Sequence, residues 1–287
     1  MNQPSRRYPI RSSWSLAACL LVGAPAAASA QSATQHAWRI DQLRAGYCIE
    51  FLMDSTAADR VLPKGLVPVG AASAPSLKPA LAAAVAERPD SFATWAPSEL
   101  CLYWSPAVNV DGRQIAEKGD DLQAFGVWSV LARPAAEAAA APTPVAVQLY
   151  ARNWRATGLA RAAHLDVERV DVAAGKVPVE GPDGRLVPGD DDRYQMKAGK
   201  TTVTWDGRLA GDAAAGPMPA DHEWRAYGLR QTAWTVRGAV QPQGSRPVAG
   251  ALRVTGKDAL ARALQASPIR FVGPWHSGGT AEIVFSR

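Results

Sequence analysis

The stretch GYCIEFLMDSTAADRVLPKGLVPV, residues 46–69, carries the local signals that decide the fold. Residues 47–53 are apolar, aromatic or β-branched apart from one glutamate and the thiol of a cysteine, and they predict a strand. A short helical turn around residues 55–61 is expected to follow. Leu62 ends this turn because a residue before proline disfavours the α region, and Gly65 permits a chain reversal. The stretch therefore predicts a strand, a short helix and a stiff turn in succession.

Strand signals continue along the rest of the chain. Apolar runs that predict strands are found at residues 100–104, 124–131 and 145–150. Three Asp-Gly pairs supply the positive φ angles that tight hairpins need, and they predict hairpins over residues 108–115, 177–187 and 203–209. Together these signals predict an antiparallel sheet.

Helical signals are few. Ser76 can cap a segment with leucine or valine at every fourth position (Leu77, Leu81 and Val85), which Pro89 ends. Residues 257–266 repeat the pattern with Leu260 and Leu264. The alanine-rich segment from Pro134 to Pro144 predicts a loop between strands.

The element count defines the expected fold class. About 11 to 13 strands and two or three helices indicate a mainly β protein, an antiparallel β-barrel or a sandwich-like fold. We expect residues 31–287 to form one β-rich domain. A closed or nearly closed sheet is favoured because closure removes exposed strand edges.

The first 30 residues predict an export signal. They contain three arginines, no acids, an apolar run over residues 14–28 and a small-x-small pattern, Ala28-Ser29-Ala30. Cleavage after Ala30 leaves 287 − 30 = 257 residues with a net charge of 31 − 3 − 26 = +2. We expect a periplasmic or secreted protein without stable membrane insertion and without nucleic acid as partner. Residues 5–11 also resemble a twin-arginine signal, although Pro9 stands where an aromatic residue is usual. Residues 16–19 resemble a lipoprotein box, although the apolar run continues beyond it.

Two cysteines remain after this cleavage. Cys48 and Cys101 form an even pair in an oxidising compartment, which favours one disulfide. It would close a loop of about 54 residues and stabilise the fold by roughly 4 kcal/mol on the chain-entropy estimate. The alternative is that both are small buried apolar residues, since each lies in an apolar run.

Residues 46–69 resemble the N-terminal part of acetoacetate decarboxylase-like proteins, with the Leu-Pro-x-Gly-Leu-x-Pro element at residues 62–68. Residues 153–169 resemble the family segment in which a Gly-x-Pro-Lys element enters a strand and its lysine forms a Schiff base. The matching positions here are Gly158-Leu159-Ala160-Arg161, with arginine in place of the lysine. The resemblance implies the family fold without Schiff-base decarboxylation, because a guanidinium stays protonated. Arg161 could instead pair with a ligand carboxylate.

The predicted ligand-binding residues lie in this second segment: Trp154, Arg161 and His164. On a strand, His164, Asp166 and Glu168 would share one face, where they suit acid–base or metal chemistry, or simply the wet side of an edge strand. Two more histidines, His222 and His276, stand beside acids or a tryptophan, but nothing fixes their spatial relation. The aspartates of residues 190–192 predict a solvated turn. The nine tryptophans beyond the signal could line a ligand site or pack the core.

No hydrolase, phosphate-binding, dinucleotide or thiol-redox motif is present, and no metal or cofactor is implied. The sequence therefore favours an exported protein that binds a small, partly apolar or carboxylate-bearing molecule. One alternative is a periplasmic lyase or hydrolase of the same superfamily that uses Lys118, Lys176 or His164. Another is a structural or interaction protein of the envelope. The sequence specifies neither the ligand nor the oligomeric state.

Overall fold

The chain folds mostly into strands over the residues that the computed structural model describes, which are 35–116, 123–153, 157–158, 161, 165–210, 220–227 and 233–287. The strands are β1 Gln35–Ile40, β2 Ala45–Met53, β3 Leu66–Pro68, β4 Ala96–Ser105, β5 Ala107–Val110, β6 Arg113–Ala116, β7 Gln123–Pro134, β8 Thr143–Ala151, β9 Val167–Glu180, β10 Leu186–Ala198, β11 Thr201–Leu209, β12 Ala220–Tyr227, β13 Ala233–Gln241, β14 Gly244–Arg246, β15 Val248–Thr255, β16 Arg270–Val272, β17 Trp275–Ser277 and β18 Thr280–Ser286. The helices are α1 Ser55–Val61, α2 Pro79–Glu87, α3 Pro89–Phe92 and α4 Ala259–Ala266. The signal-peptide prediction falls on residues 1–30, outside the described residues.

A central sheet of β2, β4, β7 and β8 organises the fold. These strands pair antiparallel in that order. Every residue of β2 and the first ten residues of β7 are buried, so both faces of the sheet are covered. This explains why their sequences are continuous apolar runs instead of alternating apolar and polar residues.

Two hydrophobic cores lie on the two faces of this sheet. On one face, Cys48, Cys101 and Phe125 pack with residues of β1, β5, β12, β13 and β18, and we call this cluster the first core. On the other, Tyr47 and Leu102 pack with residues of β9, β10, β11 and α4, and we call this cluster the second core. The alternation of side chains along a strand sends successive residues to opposite cores.

The sheet branches at β8. The first part of β8 pairs parallel with β12, and its last part pairs parallel with β9. The prediction of a purely antiparallel sheet is therefore wrong in these two ladders, where β9 and β12 run in the same direction as β8. The predicted mainly β fold class is confirmed, but within the described ranges the sheet does not close into the expected barrel.

The local predictions fit most elements. The four predicted strand segments lie in β2, β4, β7 and β8, and the loop from Pro134 separates β7 from β8. Asp54 accepts hydrogen bonds from the backbone N–H groups of Thr56 and Ala57 and so caps α1, and Gly65 reverses the chain at φ +85°. The buried residues of α2 and α4 include four predicted from the sequence: Leu81, Val85, Leu260 and Leu264. The predicted cap is wrong, because α2 begins at Pro79 with Lys78 at its N-cap, so Ser76 and Leu77 precede the helix.

One predicted hairpin is wrong. Asp111-Gly112 joins β5 to β6, and Gly184 lies in the turn between β9 and β10, as predicted. Gly207, however, lies inside β11, and the turn before that strand uses Gly199 at φ +52°. The described residues from 35 onward belong to one compact unit, and none of their helices is long and apolar enough to cross a membrane.

Candidate functional site

Two glutamates face each other in the central sheet. Glu50 of β2 lies directly opposite Glu99 of β4, and their side chains are 11% and 16% exposed. Both point to the same face as Cys48 and Cys101, at the edge of the first core. Two carboxylates brought together away from water repel each other, so the arrangement needs a cation.

Lys78 supplies this cation. Helix α2 packs Leu81 and Val85 against Leu52 of β2, and Lys78 precedes the helix by one residue, so this packing holds it above the glutamates. Its Nζ lies 3.1 Å from Oε1 of Glu50 and also donates to Oε1 of Glu99. The Glu50–Lys78–Glu99 cluster is thus built by two strands and a helix start.

Burial and charge shift the pKa values of this cluster in defined directions. Burial raises the pKa of the Glu50 carboxyl, and the charge of Glu99 adds to this, although Lys78 offsets part of it. Burial alone would lower the pKa of the Lys78 ammonium, but the charges of Glu99 and Glu50 outweigh burial and hold that pKa above its usual value. Lys78 is therefore protonated at neutral pH, and Glu50 holds a proton more tightly than an ordinary glutamate.

Two histidines lie near the Glu50–Lys78–Glu99 cluster, at the edge of the first core. Nδ1 of His222, on β12, lies 3.8 Å from Oε2 of Glu99, and its ring stacks on Trp224. His276, on β17, is 8% exposed, and its Nδ1 lies 3.2 Å from Oγ of Ser245. Burial lowers the pKa of His276, and the nearby charges of Lys78 and His222 lower it further. The lowered pKa favours the neutral imidazole, which donates a hydrogen bond from one ring nitrogen and accepts one at the other.

The Glu50–Lys78–Glu99 cluster opens into a pocket of about 130 Å³. Most of the accessible area of its wall is apolar, and Glu50, Lys78 and Glu99 lie together in that wall. The apolar lining residues are Leu77, Leu81, Pro97, Leu131 and Pro144, and the further polar ones are Ser76, Ser98 and Ser129. An apolar wall with a few convergent polar groups is the usual composition of a small-molecule site.

The predicted disulfide is formed next to this cluster. Cys48 and Cys101 lie directly opposite each other on β2 and β4. On the same face of the sheet, the next facing pair is Glu50 and Glu99. The hydroxyl of Tyr103 lies 3.6 Å from Sγ of Cys48. The disulfide thus ties together the two strands that carry the glutamates.

This cluster was not predicted from the sequence, although a signal for part of it is present there. In an antiparallel ladder, a pairing of Cys48 with Cys101 also places residue 50 opposite residue 99. Both positions hold glutamate inside apolar runs, so the predicted disulfide already implied two facing carboxylates. Lys78 had no comparable signal, because only the packing of α2 brings it above them.

The predicted ligand-binding residues are placed differently. The side chain of Arg161 is exposed and its backbone is helical, whereas the resemblance implied the entrance to a strand. Trp154 and His164 lie outside the described residues. Asp166 is exposed and precedes β9, while Glu168 is half-buried within it. Binding by Arg161, His164 and Trp154 stays a prediction.

The remaining candidates also separate. Lys176 is exposed on the β9–β10 hairpin, where its Nζ lies 2.9 Å from Asp192, and Lys118 lies outside the described residues. Asp191 and its neighbour Asp190 face Arg208 at the surface. Most of the tryptophans pack the two cores, as the core alternative predicted: Trp38, Trp224 and Trp234 in the first and Trp104, Trp128, Trp205 and Trp275 in the second.

Comparison with known proteins gives similar folds only. No protein-family model and no curated protein matches the chain. Among solved structures, acetoacetate decarboxylase from Legionella pneumophila is 11% identical with a TM-score of 0.44, over 96% of this chain and 97% of that one.

Two further solved structures are similar to the chain. An acetoacetate decarboxylase-like enzyme from Sphingomonas wittichii RW1 is 10% identical with a TM-score of 0.38, over 88% of this chain and 91% of that one. The enduracididine biosynthesis enzyme MppR complexed with pyruvate is 12% identical with a TM-score of 0.41, over 88% and 89%. The similarity is thus one of fold, to acetoacetate decarboxylase, to an enzyme like it and to MppR.

Proposed function

We propose that this protein, after export, binds a small and partly apolar molecule in the pocket beside the Glu50–Lys78–Glu99 cluster. The observation that carries the proposal is that three mutually contacting charged side chains line a pocket whose accessible wall area is mostly apolar. A cluster of this kind orients a ligand through its polar head group, while the leucines and prolines of the wall hold its apolar part.

The proposed function does not include Schiff-base chemistry. Imine formation needs a neutral amine, and the two glutamates raise the pKa of Lys78. Lys176 is exposed and paired with Asp192, so it is not desolvated either. We therefore expect borohydride treatment in the presence of acetoacetate or pyruvate to leave no covalent adduct on any lysine.

The charge of the cluster selects the head group. With both glutamates ionised, the cluster carries a net charge of about −1, which repels a carboxylate. A neutral amide or hydroxyl group can accept from the Lys78 ammonium and donate to a glutamate. At neutral pH we therefore favour a partly apolar ligand with a neutral head group over a ligand that bears a carboxylate.

Calorimetric titration with butyramide and butyrate tests this choice, because the two compounds share the alkyl chain and differ in the head group. We expect saturable binding of butyramide at pH 7 and at least tenfold weaker binding of butyrate. Lys78→Met should abolish butyramide binding, and Lys197→Met, which changes an exposed lysine of β10, should leave it unchanged. Equal binding to wild-type protein and Lys78→Met would contradict the proposal.

A second candidate function is acid–base catalysis at the same pocket, and the raised pKa of Glu50 favours it. A carboxyl group with a raised pKa is a suitable proton carrier near neutral pH. Lys78, beside it, would stabilise negative charge that develops on a substrate oxygen. The reaction class would be proton abstraction next to a carbonyl group.

Exchange of the methyl protons of acetone, a neutral ketone, in deuterated water, followed by proton NMR, tests this candidate. Enzymatic exchange should exceed the rate in buffer alone and fall at least a hundredfold in Glu50→Gln. Glu137→Gln, at an exposed loop position, is the matched control. Exchange no faster than in buffer would leave binding alone as the function of the pocket.

A further inference from the structure

Two cysteines and a histidine from three different strands lie close together at the edge of the first core. Sγ of Cys48, Sγ of Cys101 and a ring nitrogen of His222 all lie within 4.8 Å of one another. The cysteines belong to β2 and β4, and the histidine to β12. Because these residues are far apart along the chain, their spacing does not resemble that of a typical metal site.

We propose that, when the Cys48–Cys101 disulfide is reduced, these three side chains form a binding site for a thiophilic divalent cation such as Zn²⁺. The protein would then have two exclusive states, a disulfide and a metal thiolate. This site is separate from the proposed ligand function, which needs neither a metal nor reduced cysteines.

The distances suit such a site. Zinc holds thiolate sulfur at about 2.3 Å and imidazole nitrogen at about 2.0 Å, so two ligand atoms on one tetrahedral ion lie roughly 3.5–4 Å apart. The three atoms here are already within 4.8 Å of one another. Once the S–S bond is broken, rotation of the two cysteine side chains can move the sulfurs apart toward this spacing.

A carboxylate also lies beside the histidine ligand, and its other oxygen faces the Lys78 ammonium. Oε2 of Glu99 lies 3.8 Å from Nδ1 of His222, so a negative charge stands beside the imidazole ligand. A carboxylate next to a ligating histidine fixes the orientation of its ring and increases its basicity. The ring of His222 also stacks on Trp224, which further restricts its orientation.

The chemistry balances in two steps. A dithiol reductant transfers two electrons and two protons to the Cys48–Cys101 bond and becomes a cyclic disulfide, leaving two thiols on the protein. Zn²⁺ then binds both sulfurs and His222, and the two thiol protons pass to solvent. The oxidised protein offers no thiolate, so it does not form the site.

Cobalt titration of the full chain tests the proposal. Protein is reduced with dithiothreitol, freed of the reductant under argon and titrated with Co²⁺. We expect thiolate-to-cobalt charge-transfer absorption at one equivalent, loss of that absorption on adding Zn²⁺, and none of it in oxidised protein. His222→Ala should weaken Co²⁺ binding at least tenfold, whereas His36→Ala should leave it unchanged, because His36 pairs with Asp111 elsewhere.

Two readouts keep the test decisive if the histidine variant does not fold. Near-ultraviolet circular dichroism checks that reduced wild-type protein stays folded, and ¹⁵N spectra of its histidines report on Zn²⁺ binding. The ¹⁵N signal of one histidine ring should shift when Zn²⁺ is added. The same shift should be seen in His36→Ala. The proposal is overturned if thiolate–cobalt absorption is absent, if it persists in urea-unfolded protein, or if no imidazole shifts.

Discussion

At the residue scale, Glu50 is the position where the structure departs most from what its sequence context suggests. It lies in a strand that is buried along its whole length, yet it carries a charge. Lys78 compensates for that charge from a helix start 28 positions later in the chain, and Glu99 competes for the same ammonium. The cost of burying the carboxylate therefore remains partly uncompensated, as the raised pKa shows.

Replacing Glu50 with glutamine should change how stability depends on pH. Folding raises the pKa of Glu50, so wild-type protein binds this proton more tightly when folded and loses stability as pH rises through the folded-state pKa. The variant lacks this loss. Its free energy of unfolding relative to wild type should thus be more favourable at pH 7 than at pH 4.

Urea unfolding at intervals between pH 4 and pH 7 measures this difference. Glu137→Gln, in an exposed loop, should differ from wild type by the same amount at every pH. A difference for Glu50→Gln that is constant, or that grows toward low pH, would show that the carboxylate is not penalised by burial.

At the element scale, β11 shows where local sequence signals fail. Asp206-Gly207 has the composition of a tight turn, but Gly207 lies opposite Gly250 in the ladder between β11 and β15. A Cβ on Gly207 would stand 2.1 Å from the backbone oxygen of Ala249. Asp206 meanwhile pairs with Arg193 and Arg253 on the neighbouring strands. Tertiary pairing, which single-sequence patterns do not contain, decides between a turn and a strand here.

Gly207→Ala should destabilise the protein by roughly 1–3 kcal/mol, because the added methyl group forces the two strands apart. Gly175→Ala is the matched control, since it also lies in a strand and has no neighbour within 4 Å of a built Cβ. Thermal unfolding of both variants measures the effect. Similar transition temperatures for the two variants would contradict the close approach of β11 and β15.

Helices and turns were predictable where their cause is local. The four-residue spacing of α2 and α4, the Leu62-Pro63 stop and the Asp111-Gly112 turn depend on neighbouring residues only, and each is found where the sequence places it. The parallel ladders at β8 and the docking of Lys78 depend on contacts between distant segments. Local patterns carry no information about such contacts.

At the scale of the whole molecule, the central sheet is the element that both cores share. Its strands send alternate residues to the first and the second core, so a change in this sheet affects both. The Cys48–Cys101 disulfide joins β2 to β4 within this sheet. The predicted pairing thus proved to be the covalent link within the most buried part of the fold.

Removing this disulfide in a Cys48→Ala/Cys101→Ala double variant should lower the free energy of unfolding by about 2–5 kcal/mol, because the unfolded chain regains the freedom of a long loop. The m-value for urea should rise, because the unfolded chain without the cross-link exposes more surface. Equilibrium unfolding of the variant and the oxidised wild type gives both quantities. A loss below about 1 kcal/mol would mean that the ladder between β2 and β4 is stable without the covalent link.

The central claim is that a small molecule binds where Glu50, Lys78 and Glu99 meet the apolar wall of the pocket. Leucine-methyl NMR during a butyramide titration tests it most directly, because Leu77, Leu81 and Leu131 line this pocket while Leu149 and Leu264 lie in the two cores. We predict saturable shifts of the three pocket leucines and none at the core leucines. Shifts confined to the core leucines, or no saturable shift at all, would contradict the claim.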